Sequence, residues 1–267
     1  MHRFFISQTD LSKNSFGTND QEFCHQMSKV LKMRTEEKII LLDNTEHEYL
    51  AEFTLVSKSR CEAKILEKTK KSDISSKTAV HLFVPPLKNQ NRWELILEKG
   101  TEIGVASFTP LITERTEVKE LRKLDRLERI IQEAAEQSGR TLLPKIHTPI
   151  SFQELFTSSA HTESEVGEPR LSPHTESEDR YPRPPTHTDP RLQGVCLIAS
   201  LHEGAKPLSS YNLQATTYNL FLGPVGDFTK KETQLAIEHN FYPISLGSQI
   251  LRTETAAIVG SSILLAL

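Results

Sequence analysis

From residue 79 to the end of the chain, short apolar segments alternate with amphipathic ones, and this alternation is the strongest constraint on the fold. Strand patterns cover residues 79–84, 106–112, 195–199, 218–222 and 242–246, and helical patterns cover residues 91–103, 124–135, 230–240 and 253–267. Thr229 and Glu232 have the spacing of a capping box at the start of the third helical pattern. Strands that alternate with helices in this way predict an α/β domain with a largely parallel sheet.

The first 75 residues have a different pattern. Short strand patterns cover residues 2–6, 38–43, 49–56 and 61–66, and one helical pattern covers residues 21–31. Apolar and polar residues alternate in the last two strand patterns, which indicates that one face is buried. Several such strands predict a small antiparallel barrel. Residues 68–77, rich in Lys and Ser, are the expected linker, so we predict domains at 1–75 and 76–267.

A degenerate tandem repeat interrupts the second domain between residues 161 and 193. Its units read HTESEVGEPRLSP, HTESEDRYPRPPT and HTDPR, with a period of thirteen residues that also spaces three of the histidines. A segment with so little apolar content buries too little surface to offset its ordering entropy. We therefore predict a disordered insertion at about residues 158–193 and no metal site.

Composition excludes some classes of protein. Outside the repeat the chain carries 28 basic and 28 acidic side chains, so its overall charge neither indicates nor excludes a nucleic-acid partner. Three scattered cysteines favour a reducing compartment and argue against zinc. No apolar run reaches the ~20 residues of a membrane span, and the N-terminus has no secretory pattern. We expect a cytoplasmic protein without a membrane partner.

Three loops follow strands of the predicted parallel sheet, at residues 201–204, 223–228 and 246–255. Ligands of such sheets bind outside the carboxyl ends of the strands. Two glycines in the middle loop permit close approach of the backbone to a ligand, and the third loop ends with Arg252 and Glu254. The common nucleotide and hydrolase motifs are absent. Each loop alone is a weak signal, but three together predict a ligand site.

Three motifs resemble those of a known family. They are Arg92–Trp93 with Glu98–Val105, Glu133–Arg140, and Leu246–Gly247 followed by Ile250–Ala256. Together they are similar to the RsmE-type 16S rRNA uridine N3-methyltransferases of the SPOUT superfamily. The resemblance extends over essentially the whole chain except the repeat.

The resemblance implies a small N-terminal PUA-like β-barrel that helps bind RNA, and a C-terminal α/β SPOUT domain with a deep trefoil knot. It also implies a homodimer that uses S-adenosyl-L-methionine to methylate N3 of a uridine in 16S rRNA of the small ribosomal subunit.

The resemblance also assigns residues by position. The cofactor would lie against Leu201, His202, Gly223, Pro224, Val225, Gly226, Leu246, Gly247, Ile250, Leu251 and Arg252. RNA would be contacted by Arg92, Lys99, Glu102, Arg115, Gln137 and Arg140. The candidate catalytic residues are Arg252 and Arg140, for electrostatic stabilisation of the uracil, and Glu254, as a general base.

One departure from the family pattern leaves alternatives open. The middle loop of the family reads GPEGG, whereas this chain has Val225 in place of the glutamate and Asp227 in place of the second glycine. Asp227 is a candidate to replace the missing carboxylate, and aspartate tolerates positive φ. The alternatives are a SPOUT ribose 2′-O-methyltransferase, a catalytically weakened RNA-binding assembly protein, and a small-molecule α/β enzyme that does not bind RNA.

Overall fold

The computed structural model describes residues 1–71, 78–157, 192–202 and 204–267. The chain forms two compact units, Met1–Ser75 with Ile131–Leu143 and Ser76–Ile130 with Pro144–Leu267. Residues 131–143 therefore group with the first unit, although the sequence analysis placed them in the C-terminal domain. Most of the predicted linker and nearly all of the predicted insertion lie outside the described residues.

The first unit is built on a five-stranded sheet. Its elements are β1 (Arg3–Phe5), β2 (Ser15–Thr18), α1 (Gln21–His25, continued by a π-helical turn at Gln26–Val30), β3 (Lys38–Leu42), β4 (His47–Val56) and β5 (Cys61–Lys70). The strand order is β1-β3-β4-β5-β2. β1 pairs with β3 in parallel, which departs from the predicted antiparallel arrangement, and the other pairs are antiparallel. β5 pairs with β4 as far as Lys70, so the strand occupies the start of the predicted linker.

Polar contacts explain why residues 131–143 belong to the first unit. The backbone N–H of Phe5 donates to Oε1 of Glu136 at 3.0 Å. Nζ of Lys71 donates to the carbonyl oxygen of Gly139 at 2.8 Å. The first bond satisfies a backbone donor of β1, and a pattern of helical periodicity does not show either bond.

The second unit is an α/β domain, as predicted. Its elements are β6 (Ala79–Val84), α2 (Gln90–Ile103), β7 (Ser107–Ile112), α3 (Leu124–Ser138, which ends in the first unit), β8 (Lys145–Ile146), β9 (Ile150–Ser151), α4 (Glu154–Thr157), β10 (Val195–Ala199), β11 (Lys206–Pro207), β12 (Thr217–Leu222), α5 (Lys230–Glu238), β13 (Tyr242–Ser245) and α6 (Thr253–Leu265). The strand order is β11-β13-β10-β12-β6-β7-β8, and β9 also pairs with β7. All of these pairs are parallel.

Close packing fixes the helices on the sheet. The predicted capping box of Thr229 and Glu232 is present at the start of α5. On α6, a Cβ at Gly260 would lie 2.7 Å from Cδ2 of Leu220, so the absence of a side chain lets the helix approach β12. The rings of Phe83 and Phe221 stack at 4.2 Å between adjacent strands. This packing places the first turn of α6 at the carboxyl edge of the central strands.

Candidate active site

A cavity of about 740 Å³ lies at the carboxyl ends of β6, β10, β12 and β13. Ala199, Leu222 and Ser245 contribute the ends of three of these strands to its lining. This location follows the rule for parallel sheets, in which the loops beyond the strands form the ligand site. Its volume is within the roughly 300–1,000 Å³ of small-molecule sites.

Ten of the eleven residues predicted to contact the cofactor line this cavity: Leu201, Gly223, Pro224, Val225, Gly226, Leu246, Gly247, Ile250, Leu251 and Arg252. His202 is the one that is not among the lining residues. Its ring turns back onto its own loop, where Nδ1 accepts a hydrogen bond from the N–H of Gly204 at 3.0 Å.

The side chains of the cavity are mainly apolar at the entrance. Val225 is 82% exposed, and Leu201 and Ile250 are also exposed. These three residues come from three different loops and line the same cavity. Val225 therefore leaves the rim of the middle loop without a carboxylate at this position.

Two charged residues of the cavity, Arg252 and Glu254, are at the start of α6. Glu254 is only 8% exposed and forms an ion pair with Arg92, with 3.5 Å between Oε1 and Nε. Arg252 lines the same cavity, is exposed, and has no side-chain hydrogen bond or ion pair within the part of the chain that the structure describes. The site thus combines a buried carboxylate that has an arginine partner with a second arginine that is available to a ligand.

The other predicted residues lie elsewhere. On α2, hydrogen bonds to Glu102 and Glu98 raise the pKa of Lys99 to about 12. None of these three residues lines the cavity. Gln137 and Arg140 belong to the first unit.

Arg115 is in the loop after β7. Its Nη1 donates to the carbonyl oxygen of Gly226 and, at 3.5 Å, to that of Asp227. It therefore contacts the middle loop rather than extending away from it.

The loop after β6 forms a fourth wall of the cavity, which was not among the three predicted loops. Leu87, Lys88 and Asn89 follow β6 and line the site together with the three expected loops. The signal was present, because β6 was predicted as a strand of the same parallel sheet and the strand-end rule applies to it as well.

The described residues contain no helix that is long and apolar enough to cross a membrane. In the same residues, no group of three His, Cys, Asp or Glu side chains is arranged to hold a metal ion.

Comparison with protein families decides the class of the protein. A family model described as "RNA methyltransferase domain" matches residues 74–265. The chain belongs to this family. A second model, described as "RNA methyltransferase PUA domain", matches residues 19–66, which confirms the PUA-like assignment of the N-terminal region.

Curated relatives share the name "Ribosomal RNA small subunit methyltransferase E". The Mesomycoplasma hyopneumoniae protein is 30% identical over 97% of this chain and 96% of its own length. The Aquifex aeolicus protein is 31% identical over 64% of this chain and 62% of its own length. These matches confirm the resemblance to the RsmE-type family.

Solved structures agree with the family assignment. The Neisseria gonorrhoeae ribosomal RNA small subunit methyltransferase E, bound to S-adenosyl methionine, has a TM-score of 0.77 and 26% identity over 100% of this chain and 97% of its own. The Legionella pneumophila putative methyltransferase Lpg2936, in complex with bound SAM, has a TM-score of 0.74 and 26% identity over 99% and 96% of the two chains.

Proposed function

We propose that this chain methylates N3 of a uridine in 16S rRNA of the small ribosomal subunit, with S-adenosylmethionine as methyl donor. The observation that carries the proposal is the cavity at the strand ends, where glycine-rich loops, apolar side chains and the Arg92–Glu254 pair meet. Family membership over residues 74–265 supports the same reaction class.

The residues of the cavity fit the proposed cofactor. Its apolar entrance offers Leu201, Val225 and Ile250 to an aromatic base. Gly226, which lines the cavity, has φ 93°, a left-handed backbone conformation that favours glycine at this position of the middle loop.

The chemistry follows from the two charged groups at the start of α6. S-adenosylmethionine, when bound, supplies a methyl group on a positively charged sulfur. N3 of uridine attacks effectively only as its proton leaves, and Glu254 is the carboxylate that accepts this proton. Arg92 orients Glu254 through their ion pair. Arg252 stabilises the negative charge that develops on the uracil oxygens.

Further properties are proposed from the family resemblance. They are a trefoil knot that contains the segment before α6, a homodimer, binding to the small ribosomal subunit, and a cytoplasmic location. Arg92, Lys99, Glu102, Gln137 and Arg140 remain proposed RNA contacts, with Arg140 also proposed to stabilise the uracil.

Methylation of small ribosomal subunits tests the function. We expect the purified protein to transfer labelled methyl groups to 16S rRNA, and nucleoside analysis to give N3-methyluridine. Glu254→Gln should lower the turnover number by about 100-fold or more, because general base catalysis contributes about 10²–10⁴-fold. Its affinity for S-adenosylmethionine, measured by calorimetry, should remain close to that of the wild type. Glu238→Gln, an exposed change on α5, is the matched control and should retain full turnover.

Other outcomes would contradict the proposal. A 2′-O-methylated product would assign the chain to ribose methylation, and full turnover of Glu254→Gln would exclude this residue as the base. Cofactor binding without any methylated product would favour a second candidate, an RNA-binding assembly protein. The specific observation behind that candidate is the exposed Val225 where the family has a carboxylate.

A further inference from the structure

The middle loop, residues 223–228, is hydrogen-bonded to three other loops of the second unit. Oγ1 of Thr253, at the start of α6, donates to the carbonyl oxygen of Gly223 at 3.2 Å. Oδ2 of Asp227 accepts from the backbone N–H of Leu201 at 2.7 Å and from Oγ of Ser200 at 3.2 Å. The third connection is made by the loop after β7. The middle loop thus connects two other walls of the cavity, the loop after β10 and the start of α6, with the loop after β7.

Asp227 is well placed for this connection. Its φ of 65° is a left-handed conformation, which aspartate adopts more readily than most residues other than glycine. Asp227 lines the cavity, and Oδ2 of its carboxylate is bonded to the loop after β10. A charged acceptor forms stronger hydrogen bonds than a neutral one. Glycine at this position would leave the N–H of Leu201 without this partner.

Arg115 holds the opposite side of the same loop. Its Nη1 donates to the carbonyl oxygens of Gly226 and Asp227. The backbone around Arg115 is itself anchored, because the N–H of Glu114 donates to Oε1 of the buried Glu232 at 2.8 Å. The guanidinium group therefore extends from a fixed turn onto the middle loop.

We propose that Asp227 and Arg115 are positioning residues that hold the middle loop between its neighbours and so pre-organise the cofactor cavity. Binding is tighter when a site does not have to be ordered by its ligand. The identity of the ligand rests on the proposed function. The proposal also changes the expected role of Arg115 from an RNA contact to a support of the cofactor loop.

Two readouts separate this role from RNA binding and from general stability. The first is hydrogen exchange of residues 199–202 in the protein without ligand. The second is the dissociation constant of S-adenosylmethionine, compared with the KM for the RNA. Asp227→Gly should make exchange in that segment faster and weaken cofactor binding about tenfold, equivalent to about 1.4 kcal/mol. The KM for RNA should remain within about twofold of the wild-type value. A twofold change corresponds to about 0.4 kcal/mol.

Conservative variants and controls make the test specific. Asp227→Asn keeps an oxygen acceptor and tolerates positive φ, so it should restore most of the affinity. Asn240→Gly is the backbone control, because Asn240 also has a positive φ, 62°, and does not line the cavity. Arg115→Gln should weaken cofactor binding, whereas Arg122→Gln, an exposed arginine of the same connection, should not.

The outcomes are distinguishable. Unchanged exchange in both Asp227→Gly and Arg115→Gln would overturn the proposal. A raised KM for RNA with unchanged cofactor affinity in Arg115→Gln would overturn it for Arg115. If the wild type did not bind S-adenosylmethionine, the proposed cofactor would be wrong, and the exchange measurement alone would decide whether the two residues hold the loop.

Discussion

At the scale of single residues, the cavity depends on positions that leave no room for a side chain. A Cβ at Gly223 would lie 2.9 Å from Oδ1 of Asp227 and 3.0 Å from the N–H nitrogen of Phe228. We predict that Gly223→Ala displaces the middle loop, because overpacking costs about 1–3 kcal/mol, and that it weakens binding of S-adenosylmethionine by up to this amount. Calorimetry of the purified variant measures this change directly.

A matched glycine substitution controls for the added methyl group. At Gly17, in β2, a Cβ would meet only Cγ of Glu62, at 4.0 Å. Gly17→Ala should therefore leave cofactor affinity unchanged. Equal affinity of Gly223→Ala and the wild type would show that the loop adapts to an added methyl group, contrary to the prediction.

The sequence predicted the positions of the site residues better than their contacts. The strand-end rule located the loops that line the cavity, because it depends only on the order of strands and loops. The bond between Asp227 and Leu201 joins residues far apart in the chain, and no local pattern contains it. The orientation of His202 was missed for a similar reason, since one hydrogen bond to Gly204 turns its ring.

At the scale of helices and strands, periodicity was sufficient where an element was long. The predicted helix at 124–135 corresponds to α3, and the predicted strand at 79–84 to β6. Strands of two residues, such as β8 and β11, are too short to show a period of two. The parallel pairing of β1 with β3 was missed because pairing partners are chosen by tertiary packing rather than by local propensity.

An ion pair between two helices gives a prediction at this scale. Nε and Nη2 of Arg126, in α3, donate to the two carboxylate oxygens of Glu94, in α2, at 2.8 and 2.9 Å. These hydrogen bonds lower the pKa of Glu94 from its usual 4.5. Arg126→Gln should lower the free energy of unfolding at pH 7 by roughly 0.5–1 kcal/mol, the upper range for an exposed pair with good geometry.

The pH dependence of this effect follows from the sign of the pKa shift. A carboxyl group whose pKa is lower in the folded state stabilises the fold above its unfolded pKa, and this stabilisation is lost as the pH falls through the folded pKa. The difference in melting temperature between wild type and Arg126→Gln should therefore shrink between pH 7 and pH 3.5. Arg122→Gln should show no difference at either pH. A difference in melting temperature that stays constant with pH would mean that Arg126 acts through packing rather than through the ion pair.

At the scale of the whole molecule, the end of the repeat is part of the fold. Leu192 is 2% exposed and packs in the core cluster with Phe221 and Phe241. The carbonyl oxygen of Gln193 accepts from Nδ2 of Asn219 at 2.9 Å. The composition of the repeat predicted an insertion that continues to residue 193, because one leucine in a polar segment carries little signal. Packing against the sheet decides the boundary instead.

Two deletions test this boundary. Removing residues 161–190 takes away most of the repeat and should change the melting temperature by less than about 2 °C, because a segment with so little apolar content buries too little surface to stabilise a fold. Removing residues 161–193 also deletes Leu192, whose burial is worth about 2–5 kcal/mol. It further removes the carbonyl oxygen of Gln193, to which Asn219 donates a hydrogen bond. At roughly 2–4 °C per kcal/mol for a chain of this size, the longer deletion should melt several degrees lower. Equal melting temperatures would mean that Leu192 does not stabilise the sheet, and a large loss in the shorter deletion would mean that the repeat itself does.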